Sequence, residues 1–295
     1  MKFGKVDKPS RVDFTLPEDH AGTLAVLSGN NGVSKPNLYV GCAKWNRADL
    51  KGFYPRGTKD ELEYYSRQFN SIELNATFYR IFPRETFVDW YEKTPDHFRF
   101  FPKVFQGVSH WKRLFDFEAY LEDYLLNASN LKEKLAMPFV QLHSNFGPKN
   151  MDRLVPFFEA IPKDIRIAME FRHTDWFNDP VVSEELYAML EAYDVTNIVV
   201  DTAGRRDLLH MRMTTDSAFI RYNGANHRTD YKRLSDWIDR LDEWVLQGIR
   251  NIYFFVHQNV EKASPLLSAY FIRKANKRWG TQLNIPKLAN PGPKF

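Results

Sequence analysis

Ile165-Arg166-Ile167-Ala168-Met169-Glu170-Phe171-Arg172-His173-Thr174-Asp175-Trp176 decides the fold. An apolar run breaks off into a glutamate, an arginine, a histidine and a tryptophan. A buried strand that hands polar groups to a pocket at its carboxyl end reads this way. Strand alternation puts Glu170 and Arg172 on one face, with Ala168 below them. The same pattern recurs along the chain. The other expected strands are Leu38–Ala43, Ser71–Asn75, Phe98–Val104, Phe139–His143, Asn197–Asp201, Ala218–Tyr222 and Ile252–His257. Pro102 should end the third strand early, because proline brings no N–H to a ladder.

Helical segments lie between the strands. Thr58 and Glu61 have the spacing of a capping box. Phe117 to Leu131, Asp152 to Ala160 and residues 264–277 read as helices. The clearest is marked by Tyr231, Leu234, Trp237, Ile238, Leu241, Trp244 and Val245, which keep a helical period. Eight strands alternating with helices over residues 38–278 point to an α/β fold, a TIM (β/α)8 barrel, typically ~250 residues long. An open doubly wound sheet would carry a glycine-rich phosphate turn after the first strand, and Gly41-Cys42-Ala43-Lys44-Trp45 is not one. Residues 1–36 read as an N-terminal extension, with linker composition at Ser28-Gly29-Asn30-Asn31-Gly32. Residues 37–280 form the barrel domain, and 281–295 an irregular tail.

The formal net charge of +4, from 41 basic and 37 acidic residues, is too balanced to announce nucleic acid. The single cysteine, Cys42, excludes an intrachain disulfide and fits a reducing cytosol. No apolar run approaches the ~18 residues of a membrane span. The expectation is a soluble cytoplasmic protein with no membrane partner.

In a barrel of this kind the carboxyl ends of the strands build the site. Glu73, Asn75, Lys103, Gln141, His143, Glu170, Arg172, His173, Asp201, Arg221 and His257 collect there. Glu73, Glu170 and Asp201 are the catalytic candidates. The two glutamates would be a general acid/base pair if their surroundings split their pKa values; the alternative is a buried ion pair with Arg172 or Arg221. Lys103, Arg172 and Arg221 could clamp a phosphate or carboxylate, or balance the three acids. Asn75, Gln141, His173, Trp176 and His257 complete the ligand contacts, and Trp45, Tyr79 and Trp176 offer faces for stacking. Glu73, Glu170, Asp201 and His257 have the chemistry for a divalent ion. No local ligand spacing accompanies them, so neither a metal nor a cofactor is expected.

Several motifs are similar to one known family. They are Gly41–Trp45, Glu73-Leu74-Asn75-Ala76-Thr77-Phe78-Tyr79, Trp90 with Thr94-Pro95, Phe98–Lys103, His110, Gln141-Leu142, Glu170-Phe171-Arg172-His173 with Trp176, Asp201 and Arg221. Through them the chain resembles the YecE-like family, a domain of unknown function, over nearly all of residues 38–278. The resemblance implies a TIM-barrel fold and a pocket but no reaction. Ala43-Lys44, His143, Asn223 and Val256-His257-Gln258-Asn259 depart from the family's usual Ser-Gly, proline, histidine and Phe-Asn-Asn, which bears on ligand preference more than on fold.

These readings converge on an enzyme acting on a small anionic or polar metabolite by acid/base chemistry. The first alternative is a nucleic-acid-binding protein or metal-assisted phosphodiesterase, its backbone contacts supplied by Arg205, Arg206, Arg212, Arg228, Lys232 and Arg233. The second is a non-catalytic ligand sensor.

Overall fold

The described residues form eight strands: β1 (Asn37–Cys42), β2 (Ser71–Leu74), β3 (Arg99–Pro102), β4 (Phe139–Gln141), β5 (Ala168–Glu170), β6 (Thr196–Thr202), β7 (Ser217–Gly224) and β8 (Asn251–Gln258). The structure is a computed structural model and describes residues 4–29 and 35–289. Among the described residues ten α-helices accompany the strands: α1 (Ala21–Ser28), α2 (Glu61–Gln68), α3 (Ala76–Tyr79), α4 (Arg84–Lys93), α5 (Glu118–Ala128), α6 (Leu154–Glu159), α7 (Asp175–Asn178), α8 (Pro180–Ala192), α9 (Thr229–Gln247) and α10 (Ser264–Trp279). β3 ends at Pro102, as the missing N–H requires. The cap of α2 is Asp60, whose carboxylate accepts from Glu63 N–H at 2.9 Å. The expected Thr58 instead donates to the Pro55 carbonyl.

Every strand pairing is parallel. Six strands form one sheet in the order β1-β8-β7-β6-β5-β4, and β2 with β3 forms a second. The result is an α/β fold with a mostly parallel central sheet. The closed ladder expected of a (β/α)8 barrel is not formed, and the breaks have local causes. Between β3 and β4 only isolated bridges remain, Phe100 with Leu135 and Lys103 with Phe139, because β3 stops at its proline. Between β1 and β2 side chains stand in for the ladder. Val40 N–H donates to Asn70 Oδ1 at 2.9 Å, and Asn70 Nδ2 donates to the Leu38 carbonyl at 2.8 Å. Cys42 N–H donates to Tyr65 Oη, which donates on to the Ser71 carbonyl. Gly41 permits this approach, since a Cβ there would lie 2.3 Å from the Ser71 oxygen.

Both sheets share one apolar filling. Phe101 of β3 packs on Tyr253 and Phe255 of β8 at 4.8 and 4.9 Å between ring centroids, and on Phe219 of β7 at 5.8 Å. Met137, Phe139, Ala168, Ile198 and Val200 complete this cluster. The opposite faces of the strands pack on the helices. There α9 buries Trp237, Leu241 and Trp244 completely, as its apolar period requires.

Residues 4–29 carry a helix and pack on the domain. Thr23 and Leu27 of α1 are fully buried. Asp19 accepts from Arg240 Nη1 at 2.7 Å and from Trp244 Nε1 at 2.8 Å, so this segment docks on α9. Asn30–Gly32 lie outside the described residues, as do Pro291 and Pro293 of the tail. Residues 281–289 carry neither helix nor strand.

Candidate functional site

Strand parity builds the site. Two residues beyond each apolar filler a polar side chain stands on the same face. Lys103 follows Phe101, Gln141 follows Phe139, Glu170 follows Ala168, Arg221 follows Phe219 and His257 follows Phe255. The strands thus change from an apolar layer to a polar one.

Arg221 is the centre of that layer. Its Nε and Nη2 donate to the Glu73 carboxylate at 3.0 and 2.7 Å. Its Nη1 donates to Glu170 and, at 3.2 Å, to Gln141 Oε1. Glu170 also accepts from Arg172 Nε. Glu73 is completed by Asn75 Nδ2 at 2.7 Å and His257 Nε2 at 2.8 Å. Glu73, Glu170 and Arg221 are all buried, and buried charges persist only when paired in this way.

Burial alone would raise the pKa of both glutamates, but the neighbouring charges prevail. Arg221 and His257 hold Glu73 well below the usual carboxylate range. Arg172 and Arg221 hold Glu170 at about 2. An acid/base pair needs pKa values driven apart around the working pH. These two carboxylates are both ionised counter-charges, which is the ion-pair alternative weighed from the sequence.

Lys103 is held differently. Its Nζ donates to Gln141 Oε1 at 3.2 Å and sits 3.9 Å from the centre of the Phe78 ring. Burial, then repulsion from Arg221 and Arg172, outweighs the attraction of Glu170 and Glu73 and pushes its pKa down to about 7.

Above this layer opens a cleft of about 830 Å3. Asn75, Lys103, Gln141, Arg172, Arg221 and His257 line it, and Trp45, Phe78, Tyr79, Phe82 and Trp90 contribute aromatic walls. His110 also lines it; burial, Lys103 and His143 push its pKa down to about 4. His110 and Phe78 were absent from the expected contacts, although both stand in motifs that carried the family resemblance.

Four expected residues do not join the cleft. Asp201 lies on the opposite strand face. Ile198 and Val200 point to the central filling, so the next residue points outward, where Asp201 accepts from Trp237 Nε1 at 2.7 Å and pairs with Arg233 at 2.8 Å and with Arg206. Trp176 is completely buried against Phe146 and Phe171 and donates to the Phe146 carbonyl. His173 stands beside Gly147 and Asp175 in a separate surface hollow. His143 accepts from Asn145 N–H and lies 5.1 Å from the His110 ring, behind the wall. With Asp201 elsewhere, the four residues weighed for a divalent ion are split. Among the described residues no three His, Cys, Asp or Glu side chains come together as a metal site needs.

The basic residues considered for a nucleic-acid backbone are mostly paired with acids. Arg205 pairs with Asp207, Arg206 and Arg233 with Asp201, Arg212 with Glu191 and Lys232 with Asp236. Among the described residues no helix is long and apolar enough to cross a membrane.

Known proteins resemble this chain in sequence and in fold. The chain is 26% identical over 278 residues to UPF0759 protein YecE of Escherichia coli, covering 86% of this chain and 99% of that protein. It is 26% identical over 259 residues to UPF0759 protein YunF of Bacillus subtilis, covering 75% and 89%. A crystal structure of a DUF72 family protein from Thermotoga maritima superposes with a TM-score of 0.65 at 28% identity, over 80% of this chain and 98% of that one. Another, from Enterococcus faecalis, gives 0.67 at 18% identity, over 85% and 100%. The family described as "Protein of unknown function DUF72" matches residues 39–290, which include every residue of the cleft, and the chain belongs to that family.

Proposed function

We propose that the protein is an enzyme acting on a small anionic or polar metabolite, bound in the cleft with its anionic group against Arg172 and Lys103. The eight parallel strands, read as one ring with one seam spliced by side chains and one by isolated bridges, support a (β/α)8 barrel with the site at its carboxyl face. A single observation carries the functional reading: two cations, Lys103 and Arg172, face an aromatic-walled cleft above carboxylates that Arg221 already engages. Lys103 and Arg172 both line the cleft, so an anionic group bound there lies against the two of them. Arg172 supplies planar donors for it. Lys103, with a pKa near neutrality, is the group able to give or take a proton at working pH. Glu73 and Glu170 fix Arg221 and Arg172 and stay ionised.

The test is a thermal-shift panel of inorganic phosphate, sugar phosphates, nucleotides and carboxylic acids. At least one class should raise the melting temperature of the wild type by linkage, and Arg172→Ala should lose most of that rise. An unresponsive wild type, or a variant that responds as the wild type does, would end this reading.

A further inference from the structure

Among the described residues two lysines are buried, and their surroundings differ. Lys134 Nζ donates to the carbonyls of Tyr91 and Thr94 at 2.7 and 2.6 Å, and approaches Thr94 Oγ1 at 3.4 Å. Three oxygens on one ammonium mark a charged, structural lysine. Lys103 has the Gln141 amide oxygen and the face of Phe78. Among the described residues no carboxylate forms an ion pair with it. Lys134 is not part of the cleft wall, whereas Lys103 is. A buried amine so weakly held, beside two arginines and open to a cleft, has the environment in which lysine becomes a nucleophile.

We propose that Lys103 forms an imine with its substrate, its Nζ attacking the carbonyl carbon of a small aldehyde or 2-oxo compound whose carboxylate or phosphate rests on Arg172. This inference rests on the anion-binding reading of the cleft and names the substrate class. The attacking form is the free amine, which the pKa of about 7 makes abundant at neutral pH. Burial sets it first, then Arg221 of β7, Glu170 and Arg172 at the end of β5, and Glu73 of β2; Gln141 of β4 accepts from it, and His110 stands on the same cleft wall. The ammonium first yields one proton to the solvent of the cleft. The nitrogen lone pair forms the C–N bond while the carbonyl π pair moves to oxygen. A proton passes from nitrogen to that oxygen, giving a carbinolamine. The first proton returns to the hydroxyl, the C–O bond breaks and water leaves. The three hydrogens of the ammonium end as one on the iminium and two in water, and the net charge is unchanged. The iminium then draws electrons from the neighbouring carbon, the chemistry for which enzymes employ such lysines.

The experiment treats the wild-type protein with sodium borohydride in the presence of pyruvate or dihydroxyacetone phosphate, followed by intact-mass measurement and peptide mapping. The expected result is one reduced adduct per chain, located on Lys103 at least roughly ten-fold above any other lysine, Lys134 included. Its rate should rise as the pH increases through about 7. Lys103→Arg should abolish it, with circular dichroism confirming that the variant is folded. Labelling spread evenly over surface lysines, or no labelling with either probe, would overturn the imine. If labelling fails while anions still raise the melting temperature through Arg172, the imine alone is wrong. If both fail, the cleft reading falls with it.

Discussion

Arg221 grips Glu73 through two parallel hydrogen bonds, Nε to Oε2 at 3.0 Å and Nη2 to Oε1 at 2.7 Å, joining β7 to β2 across 148 residues of chain. The contact spans the two sheets, and Glu170 of β5 holds the same guanidinium. Removing Arg221 therefore strands two buried carboxylates. Arg221→Met should lose about 3–5 kcal/mol of stability in denaturant melts, the range for breaking a buried pair from one side. Adding Glu73→Gln and Glu170→Gln should recover much of it. A triple variant no more stable than Arg221→Met would contradict this electrostatic account.

The same carboxylates set an acid limit. Their pKa in the unfolded chain is near the ordinary 4.5; in the folded protein Glu170 lies at about 2 and Glu73 is also depressed. Between those values the unfolded chain binds more protons, so stability rises with pH there. Their contribution is complete above about 4.5 and fades as the pH falls towards about 2. Thermal melts across that window should show a steep loss in the wild type. The triple variant should show a shallower one, and equal slopes would place the acid sensitivity elsewhere.

Asp201 offers the opposite separation. It serves the contact between β6 and α9 through Arg233 and Trp237, so Asp201→Asn should cost about 3 kcal/mol or more and leave the anion-induced thermal shift intact. Arg172→Ala should do the reverse. Calorimetric melts with and without phosphate distinguish them; loss of the anion response in Asp201→Asn would bring this residue into the ligand site.

How far the sequence revealed this site follows from parity. Glu170, Lys103 and Arg221 were legible because each stands two residues beyond an apolar residue that faces the centre, and Arg172 continues the parity of Glu170. Asp201 was misplaced because it ends an unbroken apolar run, Ile198-Val199-Val200, in which both faces are buried and the inward one is not marked. Trp176 and His173 follow their strand through a turn, where alternation no longer fixes direction. The β1–β2 seam was hidden because Asn70 and Tyr65 act through side-chain bonds to backbone, which leave no periodic trace. Helix α1 was missed for a related reason: only Thr23 and Leu27 of it are buried, too few to mark a period.

That helix leads to a further expectation. A chain starting at Asn37 should still fold cooperatively, because the residues that fill the centre between the strands all follow that point. It should melt at lower temperature, since Leu27 leaves its cluster and Arg240 and Trp244 lose Asp19. Differential scanning calorimetry decides it; a transition without cooperativity would make the segment integral to the fold.

The central claim is that Lys103 and Arg172 together hold an anion, and calorimetric titration with sulfate tests it most directly, because the charge of sulfate is constant from about pH 6 to about pH 8.5. Lys103 loses its proton at about 7. The affinity of the wild type should therefore fall by roughly ten-fold or more across that interval. Lys103→Arg should bind without the pH dependence, and Arg172→Ala should bind weakly at both values. No binding by the wild type, or binding indifferent both to pH and to Arg172→Ala, would contradict the account.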